Sequence, residues 1–337
     1  MLAAGVAHWA LALTGAAVAF EAGMALVNLA VTRSFAPRQL PGLALLAGVP
    51  PELRVLVAVP ILLTNARDLH DQIERLEVHY LSSAGGAVSF ALLSDDPDAA
   101  TEILPADAAL LALAQTGIAR LNARYPSPDG PLFVLLHRRR QWNPEEGVWM
   151  GWERKRGKLT ELNRLLRGAT DTSFVADTVA IRQDIRFVIT LDSDTRLLRD
   201  TLRRMVGKMA HPLNRAQFDP ATQRVVKGYG ILQPRVTPSL PMAQDGSIYQ
   251  QVFSSPGGIA PYAAASSDVY QDLFDEGSFT GKGIYDVDAF AAALAGRVPE
   301  NTLLSHDLFE GVFARAGLAS DIQVVEDFPA RHDVDAG

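Results

Sequence analysis

The sequence contains no cysteine and few charged residues. Without cysteine, disulfide frameworks and thiolate zinc sites are excluded. The seven histidines are scattered without the spacing of metal ligands, so the sequence indicates no histidine metal site either. Charged residues make up only 20% of the 337 positions, and the net charge of −7 gives no reason to expect nucleic acid as a partner. The length allows one large domain with a substantial core, or two small ones.

Residues 2–31 form a long apolar run. The run exceeds the ~20 residues that a helix needs to cross a bilayer. Arg33 and Arg38 follow it and no basic residue precedes it. The preference of basic residues for the cytoplasmic side therefore places the C-terminal part of the chain in the cytoplasm. A signal peptide would require a basic start, which is missing. A buried or interfacial helix is the alternative interpretation.

A proline-rich segment follows the apolar run and predicts a linker. We therefore divide the chain into a predicted transmembrane helix (1–32), a linker (33–52) and a single folded domain (53–337).

Within the folded domain, short apolar runs alternate with segments of helical periodicity. The predicted strands are 54–59, 87–93, 132–136, 187–191, 224–233 and 322–325. The predicted helices are 66–81, 106–123, 159–166, 201–210, 268–274, 286–294 and 305–316. This alternation predicts an α/β fold with a mostly parallel sheet flanked by helices.

Two carboxylates follow the predicted strand at 187–191. One small residue separates Asp192 from Asp194, and in extended backbone residues i and i+2 point the same way. At the carboxyl end of a sheet strand, both acids would face the crevice where open α/β sheets bind ligands. Mg²⁺ is usually bound by one or two carboxylates together with substrate phosphates. The pair therefore predicts a site for a divalent cation and a diphosphate; a strand end followed by an Asp-rich turn or helix cap is the alternative.

Two further polar segments bear on this site. Asp95 and Asp96 follow the predicted strand at 87–93, and seven cations lie between positions 138 and 158. The cations would attract a diphosphate, although a charged helix start with ordinary surface pairs fits their spacing equally well. The glycine-rich segment 277–283 lacks the GxxxxGK[ST] spacing and is not a phosphate loop.

Several long strings, in this order, resemble one enzyme family. They are RKRGKLTELNRLLRGATDTSF, ITLDSDTRL, GYGILQPRV, PGGIAPYAAASSDVYQDLFDEGSFTGKGIYDVDAF and ENTLLSHDLFEG. The order of acidic and glycine-containing motifs is similar to that of processive inverting glycosyltransferases of the GT-A fold. The strings themselves resemble the glycosyltransferase domain of bacterial cyclic β-1,2-glucan synthases, from the end of the apolar run to the last residue.

The resemblance implies a GT-A-type nucleotide-sugar-binding fold, UDP-glucose as donor, a growing β-1,2-glucan as acceptor, and Mg²⁺ or Mn²⁺ as cofactor. It also implies the bacterial inner membrane, a cytoplasmic catalytic domain, and the remaining domains of a very large synthase as partners. The QxxRW motif of the family would follow Asp333, but the chain stops at Gly337 without it. We therefore expect the domain to be C-terminally truncated, which argues against full activity of these residues alone.

The resemblance also implies roles for particular residues. Asp307 occupies the position of the catalytic base, with a helix cap as the alternative. Asp192 and Asp194 bind the metal and the diphosphate, Asp95 contacts the uridine, and Lys158 contacts the diphosphate.

Other interpretations stay open at this point. Trp152 either stacks on a sugar or packs as an ordinary aromatic, and Lys282 either lines the acceptor tunnel or belongs to a structural turn. The chain is alternatively an inactive fragment that binds nucleotide sugar or glucan without catalysis. A phosphoryl-transfer enzyme would use the same pair of acids, but the sequence shows neither a phosphate loop nor an aspartyl-nucleophile motif.

Overall fold

The structure is a computed structural model that describes residues 2–34, 38–83, 85–176, 181–239, 269–302 and 306–327. The first residues of the helices predicted at 268 and 305 lie outside the described residues, as do Asp333 and much of the fourth family-like string.

The described residues form helices that alternate with strands over most of the chain. The helices are α1 (Leu2–Ser34), α2 (Ala66–Ser82), α3 (Asp107–Arg124), α4 (Arg154–Leu165), α5 (Thr201–Ala210), α6 (Val269–Phe274), α7 (Val287–Leu294) and α8 (His306–Ala314). The strands are β1 (Val55–Leu62), β2 (Val88–Asp95), β3 (Phe133–Arg138), β4 (Gln141–Asn143), β5 (Val148–Met150), β6 (Phe187–Thr190), β7 (Thr195–Leu197), β8 (Gln217–Asp219), β9 (Arg224–Lys227), β10 (Ile231–Pro238), β11 (Gly283–Asp286) and β12 (Ala316–Glu326).

The large sheet has the strand order β3-β2-β1-β6-β11-β10-β12-β7. Its first four strands are parallel, as the alternation of strands and helices predicts. The other half is mixed, because β11 runs antiparallel to both β6 and β10, and β7 runs antiparallel to β12. The α/β class with flanking helices is confirmed, but the prediction of a mostly parallel sheet is wrong for this second half. The antiparallel neighbours in this half are far apart in the chain, since β11 begins at Gly283 while β6 ends at Thr190 and β10 ends at Pro238. Their direction is therefore not set by the local alternation of strands and helices.

Three strand or helix boundaries in the structure differ from the predicted ones, and the local backbone explains each difference. The strand predicted at 224–233 is divided into β9 and β10 by Gly228, whose φ of +66° breaks the extended backbone. The helix predicted to end at 316 ends at Ala314, because Arg315 has a φ of +56° and β12 begins directly after it. Strand β1 continues through Pro60, whose missing N–H faces the side on which β6 has already ended.

The sheet is buried on both faces. Val55, Val57 and Val59 of β1 pack into one core with α2, α3 and α5. Leu56 and Ala58 pack into a second core with α4 and α7. Successive side chains of a strand point to opposite sides of the sheet. Because both sides are buried here, the strand sequence is a continuous hydrophobic run. The carboxyl ends of β1, β2 and β6 are thereby held at one rigid edge.

The predicted linker packs on the domain. Leu40 and Val49 are buried in the first core, and the Leu43 N–H donates to the carbonyl of Gly207 at 3.0 Å. Helix α1, in contrast, contains a 21-residue segment, Leu11–Val31, with a mean hydropathy of 1.5 and none of it buried. By length and composition this helix is able to cross a membrane.

We expect the full chain to sediment with membranes and to require detergent for extraction, because the exposed apolar surface of α1 is large. A variant lacking residues 2–34 should stay in the supernatant, since α1 adds no buried side chain to the described core. Fractionation after lysis tests this expectation, and recovery of the full chain as a soluble protein without detergent would contradict it.

Candidate active site

A cleft of about 740 Å³ opens at the carboxyl ends of β1, β2 and β6. It is lined by Asp95, Lys158 and Asp192, three of the residues predicted from the sequence, and by Lys155. Clefts at this edge of a parallel sheet are the usual ligand sites of α/β folds. The structure therefore brings three of the four predicted donor-binding residues to one concave surface, while Asp194 is not part of its lining.

Asp95 is held by a fully buried arginine. Arg138, at the end of the neighbouring strand β3, donates from Nε to Asp95 Oδ1 at 2.8 Å and from Nη2 to Oδ2 at 2.7 Å. Burial by itself would raise the pKa of Asp95, but the hydrogen bonds from Arg138 and the charge of Lys158 outweigh it and lower this pKa. Asp95 is therefore an anion whose position on β2 is rigid.

The other donors of Arg138 reach the start of α4. Its Nη1 group donates to Glu161 Oε2 and to the carbonyl of Trp152, both at 3.0 Å. Its Nη2 group also donates to the carbonyl of Arg154 at 3.0 Å. All five N–H groups of the guanidinium are thus used. The two carbonyls flank Glu153, which has a left-handed φ of +50°, so Arg138 holds the turn from which α4 begins.

Lys158 is buried beneath the cleft. Its ammonium donates to the carbonyls of Ile61 at 3.0 Å and Leu93 at 3.2 Å, and lies 3.1 Å from Asp95 Oδ2. Burial lowers the pKa of Lys158 to about 8, against the opposing effect of Asp95. These three partners match the three hydrogens of an ammonium. The predicted contact between Lys158 and a diphosphate stays a prediction, and in this arrangement the lysine joins β1 to β2.

Asp192 and Asp194 lie close to a third carboxylate. Each of Asp192, Asp194 and Glu326 has an oxygen that lies within 4.8 Å of the others. Strand β6 ends at Thr190, so the two aspartates lie in a turn and not in extended backbone as expected. Glu326 is brought to them by the pairing of β12 with β7, in which it lies opposite Thr195. The sequence analysis did not identify Glu326, although it also is an acid at the end of a strand.

Two lysines neutralise this acidic cluster. Lys282 lies 2.6 Å from Glu326 Oε1 and 3.2 Å from Asp192 Oδ2, and Lys155 donates to Asp192 Oδ1 at 2.6 Å. Burial would raise the pKa of Asp192, but the charges of Lys155 and Lys282 outweigh it and lower this pKa. Burial, together with the charges of Glu326 and Asp192, raises the pKa of Asp194. Asp194 is therefore the member of the cluster that most lacks a positive neighbour.

Asp307 lies on the far side of a glycine from this cluster. A Cβ atom on Gly281 would lie 2.8 Å from both carboxylate oxygens of Asp307, and the φ of Gly281 is +81°. The carbonyl of Gly281 accepts a hydrogen bond from Lys155 at 3.2 Å, and Lys155 also binds Asp192. A continuous series of contacts therefore links Asp307 to Asp192, which are more than a hundred residues apart in the sequence.

Other residues take positions that differ from the interpretations of the sequence. Trp152 lines a separate cavity of about 480 Å³ between α4, α7 and α8, and its indole N–H donates to Glu300 at 3.2 Å. Lys282 binds the acidic cluster directly. Sequence reasoning missed the roles of Lys155 and Arg138 within the group of seven cations. The sequence shows the charge of these two residues. It does not show the contacts that distinguish them from the other five cations.

Comparison with known proteins finds a relative that covers almost the whole chain. No protein-family model matches it. It is 51% identical over 317 residues, or 94% of its length, to the cyclic β-(1,2)-glucan synthase NdvB of Rhizobium meliloti (strain 1021). The chain spans only 11% of the length of that protein. The resemblance predicted from the sequence is confirmed, and the chain corresponds to one segment of a much longer synthase.

We predict that Arg138→Met will lower the free energy of unfolding by about 3–5 kcal/mol, because it leaves the buried carboxylates Asp95 and Glu161 without their shared cation. Chemical denaturation of the detergent-solubilised chain measures this change. Arg164→Met is the matched control, because Arg164 pairs with the exposed Asp171 and its loss should change stability little. Equal effects of the two variants would show that the Arg138 network does not stabilise the fold.

Proposed function

We propose that this chain, a segment of a cyclic β-1,2-glucan synthase, transfers glucose from UDP-glucose to a growing β-1,2-glucan with inversion at the anomeric carbon. Homology to a glucan synthase supports a role in glucan synthesis. The observation that carries the finer proposal is the placement of Asp95 and Asp192 on one cleft, with Asp307 linked to Asp192 through Lys155 and Gly281. An inverting transferase needs a base near the metal site, because the base and the leaving diphosphate must lie on opposite sides of one sugar.

The cleft suits a nucleoside diphosphate in size. Ligand pockets of roughly 300–1,000 Å³ hold molecules of this size, and the cleft measures about 740 Å³. Asp95 and Asp96 lie at one end, where they would accept hydrogen bonds from the uridine. Asp96 Oδ1 has no hydrogen-bond partner within the described chain, so an acceptor is available there. Lys155 lines the cleft next to Asp192 and is better placed than Lys158 to contact the diphosphate.

The acidic cluster fits Mg²⁺ or Mn²⁺. Asp192, Asp194 and Glu326 offer three carboxylate oxygens within 4.8 Å of one another, and hard divalent cations prefer oxygen ligands. The raised pKa of Asp194 marks an excess of negative charge that a cation would relieve. We assign the metal contacts to Asp192 and Asp194, with Glu326 beside them. When bound, the cation supplies positive charge for the departing diphosphate.

Asp307 is the proposed general base. It lies in the first turn of α8, where the free N–H groups and the dipole of the helix favour an anion. Asp307 takes the proton of an acceptor hydroxyl while the hydroxyl oxygen forms a bond to the anomeric carbon. The bond from that carbon to the diphosphate breaks on the opposite side, and UDP leaves with the electron pair. One displacement of this kind converts the α-linked donor into a β-linked product.

The location and partners follow from the same proposal. Helix α1 anchors the chain in the bacterial inner membrane, and Arg33 and Arg38 place the catalytic domain in the cytoplasm. Because the chain spans 11% of its relative, the remaining domains of the synthase complete the enzyme and receive the glucan.

We expect Mg²⁺ or Mn²⁺ to strengthen UDP binding by at least about tenfold, and Asp194→Asn to abolish this gain. The gain should also decline as the pH falls toward the raised pKa of Asp194, because a proton then competes with the cation. Calorimetric titration with and without EDTA measures both effects, and Asp171→Asn, an exposed carboxylate far from the cleft, serves as control. Equal UDP affinity in the presence of EDTA would contradict the metal assignment.

Asp307→Asn in the full-length synthase should preserve UDP-glucose binding and reduce glucan synthesis by about 10²–10⁴-fold, the usual contribution of a general base. Radiolabelled glucose incorporation and calorimetry with UDP give the two readouts. Near-normal turnover in this variant would show that another group takes the proton. Binding without transfer by the wild-type synthase would instead favour an inactive segment.

A further inference from the structure

His306 lies between two carboxylates of its own helix. Its Nδ1 atom is 2.9 Å from Glu310 Oε1 and 3.3 Å from Asp307 Oδ1. Ionised carboxylates only accept hydrogen bonds, so the hydrogen-bond network assigns a proton to Nδ1. This N–H donates to Glu310, which orients the imidazole. Asp307 Oδ1 lies in ion-pair distance of the same nitrogen but accepts no hydrogen bond from the residues that the structure describes.

Glu310 is buried in a way that requires a reason. Glu310 is only 3% exposed, and its Oε2 atom has no hydrogen-bond partner among the residues that the structure describes. A buried carboxylate with one free oxygen is costly unless a cation compensates it. His306 is that partner, so Glu310 and the His306 ring hold each other in place.

Asp307 is confined on two sides. Gly281 leaves no space for a side chain between its own backbone and the Asp307 carboxylate, and the His306 ring contacts Oδ1. Only the rest of the carboxylate is left for an acceptor hydroxyl. The contact with Gly281 also connects this group to Lys155 and the acidic cluster.

We propose that His306 and Glu310 are positioning residues for Asp307: the hydrogen bond to Glu310 fixes the His306 ring, and the charge of the ring beside Oδ1 holds the Asp307 carboxylate next to Gly281. The inference rests on the proposed role of Asp307 as the base. Neither residue touches the substrate in this arrangement, and both act through Asp307.

The charge of His306 gives the arrangement a pH dependence. The groups that face it within the described chain are Glu310 and Asp307 on α8 and Lys155 on α4. Burial and Lys155 would lower the pKa of His306, but the hydrogen bond and charge of Glu310 and the charge of Asp307 outweigh them and raise it. His306 is therefore protonated below this raised pKa. As the pH rises through it, the positive charge between the two carboxylates is lost and their repulsion disturbs Asp307.

The test uses the full-length synthase and the pH profile of kcat for glucan synthesis. Glu310→Gln keeps a hydrogen-bond acceptor for the ring but removes the charge, so the fall of kcat on the alkaline side should move to lower pH. His306→Asn keeps an amide N–H near the position of Nδ1 but does not titrate. Because it is uncharged like the neutral ring, it should lower kcat at all pH values by up to roughly 10²-fold, the upper range of coupling between contacting residues, and lose the alkaline fall due to His306. UDP binding should be unchanged in both variants.

Glu300→Gln is the matched control, because Glu300 is an exposed carboxylate on the same cavity and contacts Trp152 instead. Its pH profile should equal that of the wild type. An unshifted profile in Glu310→Gln would overturn the inference. Loss of UDP binding would reveal that Glu310→Gln fails to fold, and His306→Asn then gives the decisive result. An unchanged alkaline fall of kcat in His306→Asn overturns the inference. Disappearance of this fall supports it. A wild-type synthase that makes no glucan from UDP-glucose would overturn the proposed function as well.

Discussion

The paired hydrogen bonds between Arg138 and Asp95 organise the cleft edge of this domain. Both groups are almost completely buried, where a lone charge would be very costly and a fully paired one is rigid. Because the same guanidinium also binds two carbonyls around Glu153, it joins the end of β2 to the beginning of α4. The position of Lys155 in the first turn of α4, and hence its contact with Asp192, depends on this connection.

The charges of the site form a connected sequence of contacts across the cleft. Lys155 and Lys282 bind the acidic cluster, Lys155 reaches the carbonyl of Gly281, and Gly281 contacts Asp307. Asp192 and Glu326 each have a lysine neighbour on another element, and Asp307 has His306 on its own helix. Asp194 forms no ion pair among the described residues, and burial together with the charges of Glu326 and Asp192 raises its pKa. This contrast is the physical basis for assigning the metal there.

The parallel half of the sheet was predictable because local signals determine it. Strands β1, β2, β3 and β6 are apolar runs separated by segments that contain helices; β2 ends in an acid, and acids follow β6. The mixed half was not predictable in the same way, since β11 follows a glycine-rich segment and β12 follows α8 after one left-handed residue. The sequence shows which acids lie at strand ends. It does not show how the strands beside these acids align with β7 and β11.

The sequence by itself determined the apolar helix, the α/β alternation, the resemblance to glucan synthases, and the acids that end β2 and follow β6. These features depend on neighbours within a few residues, or on strings long enough to compare. Only the tertiary structure decided that Glu326 joins Asp192 and Asp194, that Lys158 binds β1, β2 and Asp95 while Lys155 binds Asp192, and that Glu310 holds His306 beside Asp307. Most of these contacts join distant parts of the chain, so they depend on strand order, register and helix packing, which no local pattern of residues specifies.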